Sequence, residues 1–219
     1  MASLQICTAT ALILAAPLSH AGTNEDLTRY ALVVYGQQRF GSGVAISEHR
    51  VVTSCHTLQG ARRVGVANRD MSIKRIAERG MAMPGRDVCL LHFESPHGFP
   101  VPPIGTVASA VSGGVVTAVG YSNGQLSAVT GPLLGTQGVT GSGAIINSDT
   151  PVSPGASGGG LFNGEGELVG IITYIANDRQ GRRVGNYSAP IDWAIELSHL
   201  QPYAVWALYQ GGEFWRSQH

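Results

Sequence analysis

The chain has 219 residues, of which 43% are hydrophobic and 13% charged, and 30 are glycines. This composition is too apolar for a disordered chain and is typical of a globular domain rich in β-strands. Lys plus Arg equal Asp plus Glu, so the formal net charge is zero, and nothing in it favours nucleic acid or an anionic surface as a partner.

The N-terminal segment has the features of an export signal. Residues 6–17 are mostly apolar but too few to span a bilayer, and Ser19-His20-Ala21 resembles a small-residue cleavage site. The usual positive region is reduced to the amino terminus. We expect residues 1–21 to be removed, which predicts an exported, periplasmic or secreted protein with no stable membrane insertion. A packed or disordered N-terminal helix is the alternative.

Strand patterns dominate the rest of the chain. A first group of six predicted strands covers residues 30–35, 43–46, 51–55, 63–67, 73–76 and 88–93. The proline-dense connector 96–103 cannot continue a β-ladder and predicts a boundary. A second group covers residues 115–121, 126–130, 138–146, 160–162, 167–174 and 184–189, with Asn163-Gly164 as a tight hairpin signal. A helix over residues 191–200 has a broad apolar face and is expected to pack on the second group.

Three separated residues suit nucleophilic catalysis. His56 ends a β-branched run, Asp87 opens an apolar strand, and Ser157 lies in the glycine-rich stretch 154–160. A serine hydroxyl needs a base such as imidazole, and imidazole needs a carboxylate that orients it. The order His, Asp, Ser is one of the known triad orders. The backbone N–H groups of Gly155 and Ser157 are the predicted oxyanion hole.

The sequence resembles a known family in five stretches. Residues 41–46, 51–56, 87–91 and 155–159 are similar to the trypsin-like serine peptidases, and residues 185–191 are closer to the bacterial HtrA-like branch. The resemblance implies an all-β fold of two six-stranded antiparallel β-barrels of the chymotrypsin type with a C-terminal helix. The domain would cover residues 22–219, with barrel one at about 30–95, barrel two at about 104–190 and the helix at 191–200. It also implies a cleft between the barrels, a polypeptide substrate, and neither cofactor nor metal.

Two departures from the digestive enzymes bear on activation. Ala156 stands where those enzymes have an acid that pairs with a new N-terminus, and no Ile-Val-Gly-Gly start occurs in the first half. Activation by clipping is therefore not expected, and other contacts should hold the oxyanion turn. Thr173 occupies the place of a family hydroxyl that supports Asp87. No PDZ module is expected behind the peptidase domain, which disfavours a chaperone-like role.

The resemblance also implies the substrate-binding residues. Pro151 lies six positions before the nucleophile, at the bottom of the specificity pocket, and offers no charge to a basic residue. Ile175 and Gly185 fall near the pocket walls, where the branched side chain favours small aliphatic residues before the cleaved bond. Asp149 is close enough to re-enter the pocket. An edge strand at Thr173 to Ile175 would pair with the substrate backbone.

Two cysteines remain after removal of Cys7. Cys55 and Cys89 are adjacent or nearly adjacent to triad members, and an even pair in an exported chain suggests a disulfide. If the His56 and Asp87 backbones meet, the two Cα atoms should lie within about 7 Å. Two buried thiols that act as small apolar fillers are the alternative.

Other polar residues receive structural interpretations. Four histidines lack partners at metal-ligand spacing, namely His49, His92, His97 and His199. Ser42 is interpreted as part of a structural turn. The arginine cluster of residues 179, 182 and 183 is assigned to a solvated hairpin tip with no role.

Two functions stay open at this point, and no oligomeric state is predicted. The first is an exported serine endopeptidase that forms an acyl-enzyme at Ser157. The second is a non-catalytic peptide-binding module with the protease fold and a collapsed oxyanion turn. The triad favours the enzyme, because a binding cleft has no physical need for all three side chains.

Overall fold

Two closed antiparallel barrels of six strands each make up the fold. The computed structural model describes residues 24–36, 39–82, 86–139 and 143–199, so the expected signal segment 1–21 and residue 200 lie outside the described residues. A short helix α1 (Asn24–Leu27) and a 3-10 turn (Thr28–Tyr30) precede the first strand. The predicted fold class is confirmed.

The first barrel comes from the N-terminal half. Its elements are β1 (Leu32–Tyr35), β2 (Phe40–Ser47), β3 (Arg50–Thr53), helix α2 (Cys55–Leu58), β4 (Arg63–Ala67), β5 (Lys74–Ala82) and β6 (Cys89–His92). The spatial order is β1-β2-β3-β6-β5-β4, and pairing of β1 with β4 closes the barrel. The pairing of β3 with β6 positions the candidate site, because it aligns Thr53 with Cys89.

The second barrel repeats this architecture. Its elements are helix α3 (Val107–Gly113), β7 (Val115–Ser122), β8 (Gln125–Val139), β9 (Gly143–Ser148), β10 (Gly160–Phe162), β11 (Leu168–Asn177), β12 (Arg183–Pro190) and helix α4 (Ile191–His199). The spatial order is β10-β11-β12-β9-β8-β7.

Strand β8 differs most from the prediction. It spans 15 residues, pairs with β7 through Pro132 and then changes partner to β9, with a register irregularity between Leu133 and Gly135. The predicted strand 138–146 is wrong, since its ends belong to β8 and β9, which pair with each other. A strand that bends at a barrel corner contains glycine and proline, which sequence patterns interpret as strand ends.

The hairpin of β10 and β11 is present, but a different glycine makes its turn. Gly166 has a φ of 79°, whereas Gly164 is not in the left-handed region. The Asn163 side chain accepts hydrogen bonds from the backbone N–H groups of Glu165 and Glu167. Asparagine therefore organises a longer turn than the dipeptide signal predicts.

Helix α4 packs on barrel two, as predicted, and also contacts barrel one. It contacts β11 and β12 on one side and β5 and β6 on the other. The Arg86 guanidinium lies 4.1 Å from the Trp193 ring centroid, and Arg50 donates to the Ser198 carbonyl. An apolar cluster shared by the barrels and α4, including Val44 and Phe162, fixes their relative position.

Candidate active site

His56 and Asp87 form a hydrogen-bonded dyad at the edge of barrel one. His56 lies in α2, directly after β3, and Asp87 lies just before β6. The His56 Nδ1 atom is 2.5 Å from Asp87 Oδ2, and the His56 backbone N–H donates to Asp87 Oδ1 at 2.9 Å. Because a carboxylate only accepts, Nδ1 carries the proton. The other ring nitrogen, Nε2, is left as the candidate base.

A disulfide links the two segments that carry this dyad, as the cysteine positions predict. Cys55 precedes His56, Cys89 follows Asp87 by two residues, and the two are bonded with a Cα–Cα distance of 4.9 Å. Both cysteines are buried. The covalent link joins the helix that carries the imidazole to the strand that follows the carboxylate.

Ser157 lies on a tight glycine turn of barrel two. Gly158 has a φ of 88°, and a Cβ there would lie 2.1 Å from the Ser42 carbonyl oxygen, so only glycine fits. The Gly158 N–H donates to the Ile172 carbonyl at 2.7 Å, and the Ser42 N–H donates to the Ser157 carbonyl at 2.8 Å. These bonds hold the serine backbone between the barrels.

The Ser157 hydroxyl does not bond His56 in this structure. It donates to the Thr173 carbonyl at 3.1 Å. Both Ser157 and His56 nevertheless line one cavity of about 680 Å³, together with Phe40, Thr57 and Gly155. The serine side chain has a single rotatable bond to its oxygen, so one rotamer change redirects the hydroxyl within that cavity.

The turn that is predicted to form the oxyanion hole presents two backbone donors. The Pro154 carbonyl accepts from the Asn123 N–H at 2.8 Å. Because C=O and N–H point oppositely in a trans peptide, the Gly155 N–H points the other way. Among the described residues, neither this N–H nor that of Ser157 has a protein acceptor. Both residues line the cavity, so the pair can meet a developing oxyanion.

Ser42 takes a larger part in the site than its sequence context suggests. It lies in strand β2 rather than in a turn, and it is fully buried. Its hydroxyl donates to the Gly155 carbonyl and accepts from the Tyr121 N–H, both at 2.8 Å. The neighbouring Gly41 lets strand β2 lie close to the nucleophile turn, since a Cβ at this position would be 3.1 Å from the Ser157 carbonyl oxygen. Glycines on both sides of a strand serine were the available signal.

The expected support of Asp87 by Thr173 is wrong. The Thr173 hydroxyl donates to the Tyr187 carbonyl at 2.7 Å, and a hydroxyl has only one proton to donate. Thr173 instead contributes its carbonyl, which holds the Ser157 hydroxyl. Next to it, the pKa of the Tyr174 phenol is raised, mainly by burial and to a smaller extent by the nearby Tyr187 and Asp87.

The loop before the nucleophile is fixed by contacts that the sequence did not indicate. Asn186 is fully buried and donates to the Thr150 hydroxyl at 2.6 Å. Arg183 donates to the Thr150 carbonyl and pairs with Asp149 at 3.3 Å. Arg183 therefore anchors this loop, which corrects its assignment to a solvated tip, and the Asp149 charge is paired.

The expected substrate-binding residues fall into two environments. Pro151 is exposed and Ile175 is partly buried. Gly185 is buried, and a Cβ there would lie 2.7 Å from Asn147 Oδ1 and 3.0 Å from the Ser148 carbonyl oxygen. Gly185 thus packs against β9, where it leaves no open space for a substrate side chain.

His97, outside the dyad, makes structural contacts. His97 is fully buried; its Nε2 atom lies 2.7 Å from the Ser47 carbonyl oxygen, and its Nδ1 accepts from the Phe99 N–H at 2.9 Å. Burial lowers the pKa of His97. In the described part of the chain, no three His, Cys, Asp or Glu residues are grouped to hold a metal, and no helix is long and apolar enough to cross a membrane.

The sequence is similar to those of known proteins. A family model described as a trypsin-like peptidase domain matches residues 41–171. "Putative serine protease HhoA" of Synechocystis sp. is 33% identical over 170 residues, 73% of this chain and 42% of that protein. "Probable periplasmic serine endoprotease DegP-like" of Pseudomonas putida is 32% identical over 167 residues, with coverages of 74% and 35%. The chain spans about two fifths of the length of these curated relatives.

Two solved structures have the same fold. "HtrA-type protease AlgW with tripeptide" matches with a TM-score of 0.69 at 26% identity, covering 78% of this chain and 59% of that one. The serine endoprotease from Yersinia pestis matches with a TM-score of 0.63 at 24% identity, covering 81% and 65%. The predicted similarity to the HtrA-like branch is confirmed.

Proposed function

Because the chain belongs to the trypsin-like peptidase domain family, we propose that it is a serine endopeptidase that cleaves polypeptides through an acyl-enzyme at Ser157. One observation carries the proposal: His56 of the dyad, Ser157 and two backbone N–H groups without an acceptor among the described residues lie at a single cavity. These are the base, orienting acid, nucleophile and oxyanion donors that acyl transfer requires.

The catalytic cycle follows from this geometry. The Ser157 hydroxyl leaves the Thr173 carbonyl and transfers its proton to His56 Nε2 as Oγ bonds to the substrate carbonyl carbon. The Gly155 and Ser157 N–H groups hold the resulting oxyanion. His56 then protonates the departing amine as the C–N bond breaks, and Asp87 stabilises the transient imidazolium. Water, deprotonated by His56, attacks the acyl carbon; the bond from that carbon to Ser157 Oγ then breaks as His56 returns the proton to Oγ, which releases the acid product and restores the serine.

The acyl half of the substrate would lie along β11. The Thr173 to Ile175 segment can pair with an extended peptide backbone. Pro151 offers no charge, and Asp149 is paired with Arg183, which supports a preference for small aliphatic residues before the cleaved bond. Digestion of a peptide library should show that preference. Dominant cleavage after Arg or Lys would contradict it.

A peptide-binding module without catalysis is the second candidate, favoured by one observation. The Ser157 hydroxyl rests on the Thr173 carbonyl rather than on His56. A fluorophosphonate probe separates the two, because it reacts only with an activated serine. Labelling of the wild type but not of Ser157→Ala is expected. No labelling at any pH between about 6 and 9 would favour the binder.

Export to an oxidising compartment completes the proposal. The apolar segment 6–17 and the bonded Cys55–Cys89 pair support it, since disulfides persist outside the reducing cytosol. The relatives named periplasmic agree with this location. Mass spectrometry of the protein recovered from periplasm or medium should show an N-terminus near residue 22. A cytosolic full-length chain would contradict export.

A further inference from the structure

The cavity at the dyad continues beyond the catalytic residues to the turn between β1 and β2. Arg39 and Phe40 line it there, together with Thr57 of the His56 helix. None of the residues that line this cavity belongs to the Thr173 to Ile175 segment. On the proposed function, that segment holds the acyl half of the substrate. The amino-acid residues after the cleaved bond therefore leave through the cavity.

Phe40 places this end of the cavity close to the reacting atoms. Its side chain is 42% exposed, and a Cβ added at Gly155 would lie 2.9 Å from Phe40 Cε2. The ring therefore borders the oxyanion turn itself. Arg39 is the next residue along the chain, and an extended peptide advances about 3.3–3.6 Å per residue. The first one or two residues after the cleaved bond fall within reach of its side chain.

Arg39 is the source of charge at this end of the cavity. It is the only Lys, Arg, Asp or Glu among the lining residues of the described chain. Its side chain is exposed, and no described carboxylate forms an ion pair with it. The Gly36 N–H donates to the Arg39 carbonyl at 2.8 Å, which closes the turn and fixes the arginine backbone. An arginine at a fixed place without an internal partner suits a carboxylate.

We propose that Arg39 selects substrates with Asp or Glu at the first or second position after the cleaved bond. Exposed ion pairs are weak and screened by salt. The expected preference for an acidic over a neutral residue is therefore about three- to fivefold in kcat/KM at low ionic strength, and smaller at high salt. A basic residue at these positions is expected to be disfavoured to a similar degree.

Quenched fluorescent peptides test this selection. The peptides share one sequence up to the cleaved bond. Each of the two positions after that bond carries Glu, Gln or Lys in turn. Arg39→Gln should make the three rates equal, and Arg39→Glu should favour Lys. Arg63→Glu is the matched control, since Arg63 is an exposed arginine of barrel one outside the cavity. A small ester substrate without residues after the bond should be hydrolysed equally by all variants.

The outcomes separate this inference from the proposed function. If the wild type is labelled by the fluorophosphonate but cleaves the Glu, Gln and Lys peptides at equal rates, the role of Arg39 is overturned while the proposed function stands. An equal change of preference in Arg63→Glu would overturn that role as well. A loss of ester hydrolysis in the Arg39 variants would show damage to the catalytic site and also contradict the assignment. Absence of both labelling and hydrolysis would overturn the inference together with the proposed function.

Discussion

Replacement of Ser42 by alanine should damage the proposed oxyanion turn without removing any of the three proposed catalytic side chains. The Ser42 hydroxyl makes two hydrogen bonds, to the Gly155 carbonyl and from the Tyr121 N–H. The buried Tyr121 N–H would be left unsatisfied at a cost of about 1–3 kcal/mol, and the part-buried Gly155 carbonyl would lose its bond at a smaller cost. We expect Ser42→Ala to lower the free energy of unfolding by about 2–4 kcal/mol.

The same substitution should lower kcat more than it changes KM. The Gly155 N–H is aimed by the backbone that Ser42 holds, and loss of one oxyanion donor costs about 10²–10³ in kcat. A donor that is displaced instead of removed should lower kcat less, by about 10- to 100-fold. Urea unfolding and steady-state peptide hydrolysis measure the two effects.

A buried serine elsewhere gives the matched control. Ser188 is fully buried, and its hydroxyl has no hydrogen-bond partner among the described residues. Ser188→Ala should therefore leave stability unchanged or raise it slightly. If Ser42→Ala unfolds like Ser188→Ala and keeps wild-type kcat, Ser42 does not hold the oxyanion turn.

Three further predictions concern the dyad, the disulfide and the buried histidine. Asp87→Asn should reduce kcat by about 10³- to 10⁴-fold, because His56 then takes the wrong tautomer; kinetics within tenfold of wild type would contradict the dyad. Replacing both Cys55 and Cys89 with alanine opens a link between residues 34 positions apart and should cost about 4 kcal/mol of unfolding free energy. A loss below about 1 kcal/mol would refute that estimate. The lowered pKa of His97 means that its neutral form stabilises the fold above the unfolded pKa of about 6.5. That contribution should be lost as the pH falls below about 6.5. If the unfolding free energy of His97→Gln depends on pH in the same way as that of the wild type, the prediction is wrong.

Much of the site could be predicted from local sequence. The strand before His56, the strand after Asp87 and the glycines around Ser157 each carry a local physical requirement. The disulfide followed from the expectation that two triad backbones meet. The failures are hydrogen bonds between residues distant in the chain: Thr173 bonds Tyr187 instead of Asp87, and Arg183 bonds the loop at Thr150. Such partners depend on strand register, which residue types leave undetermined.

The residue types that acyl transfer requires and the two groups of strands are apparent from the amino-acid order alone, because periodicity and glycine placement are local properties. That the Gly155 N–H has no acceptor among the described residues follows only from the packed fold, since it depends on a peptide plane oriented by the Asn123 N–H. The packed fold likewise decided that Arg39 borders the site and that Ser42 supports it. Residues from separate parts of the chain become neighbours only when the barrels close and pack together.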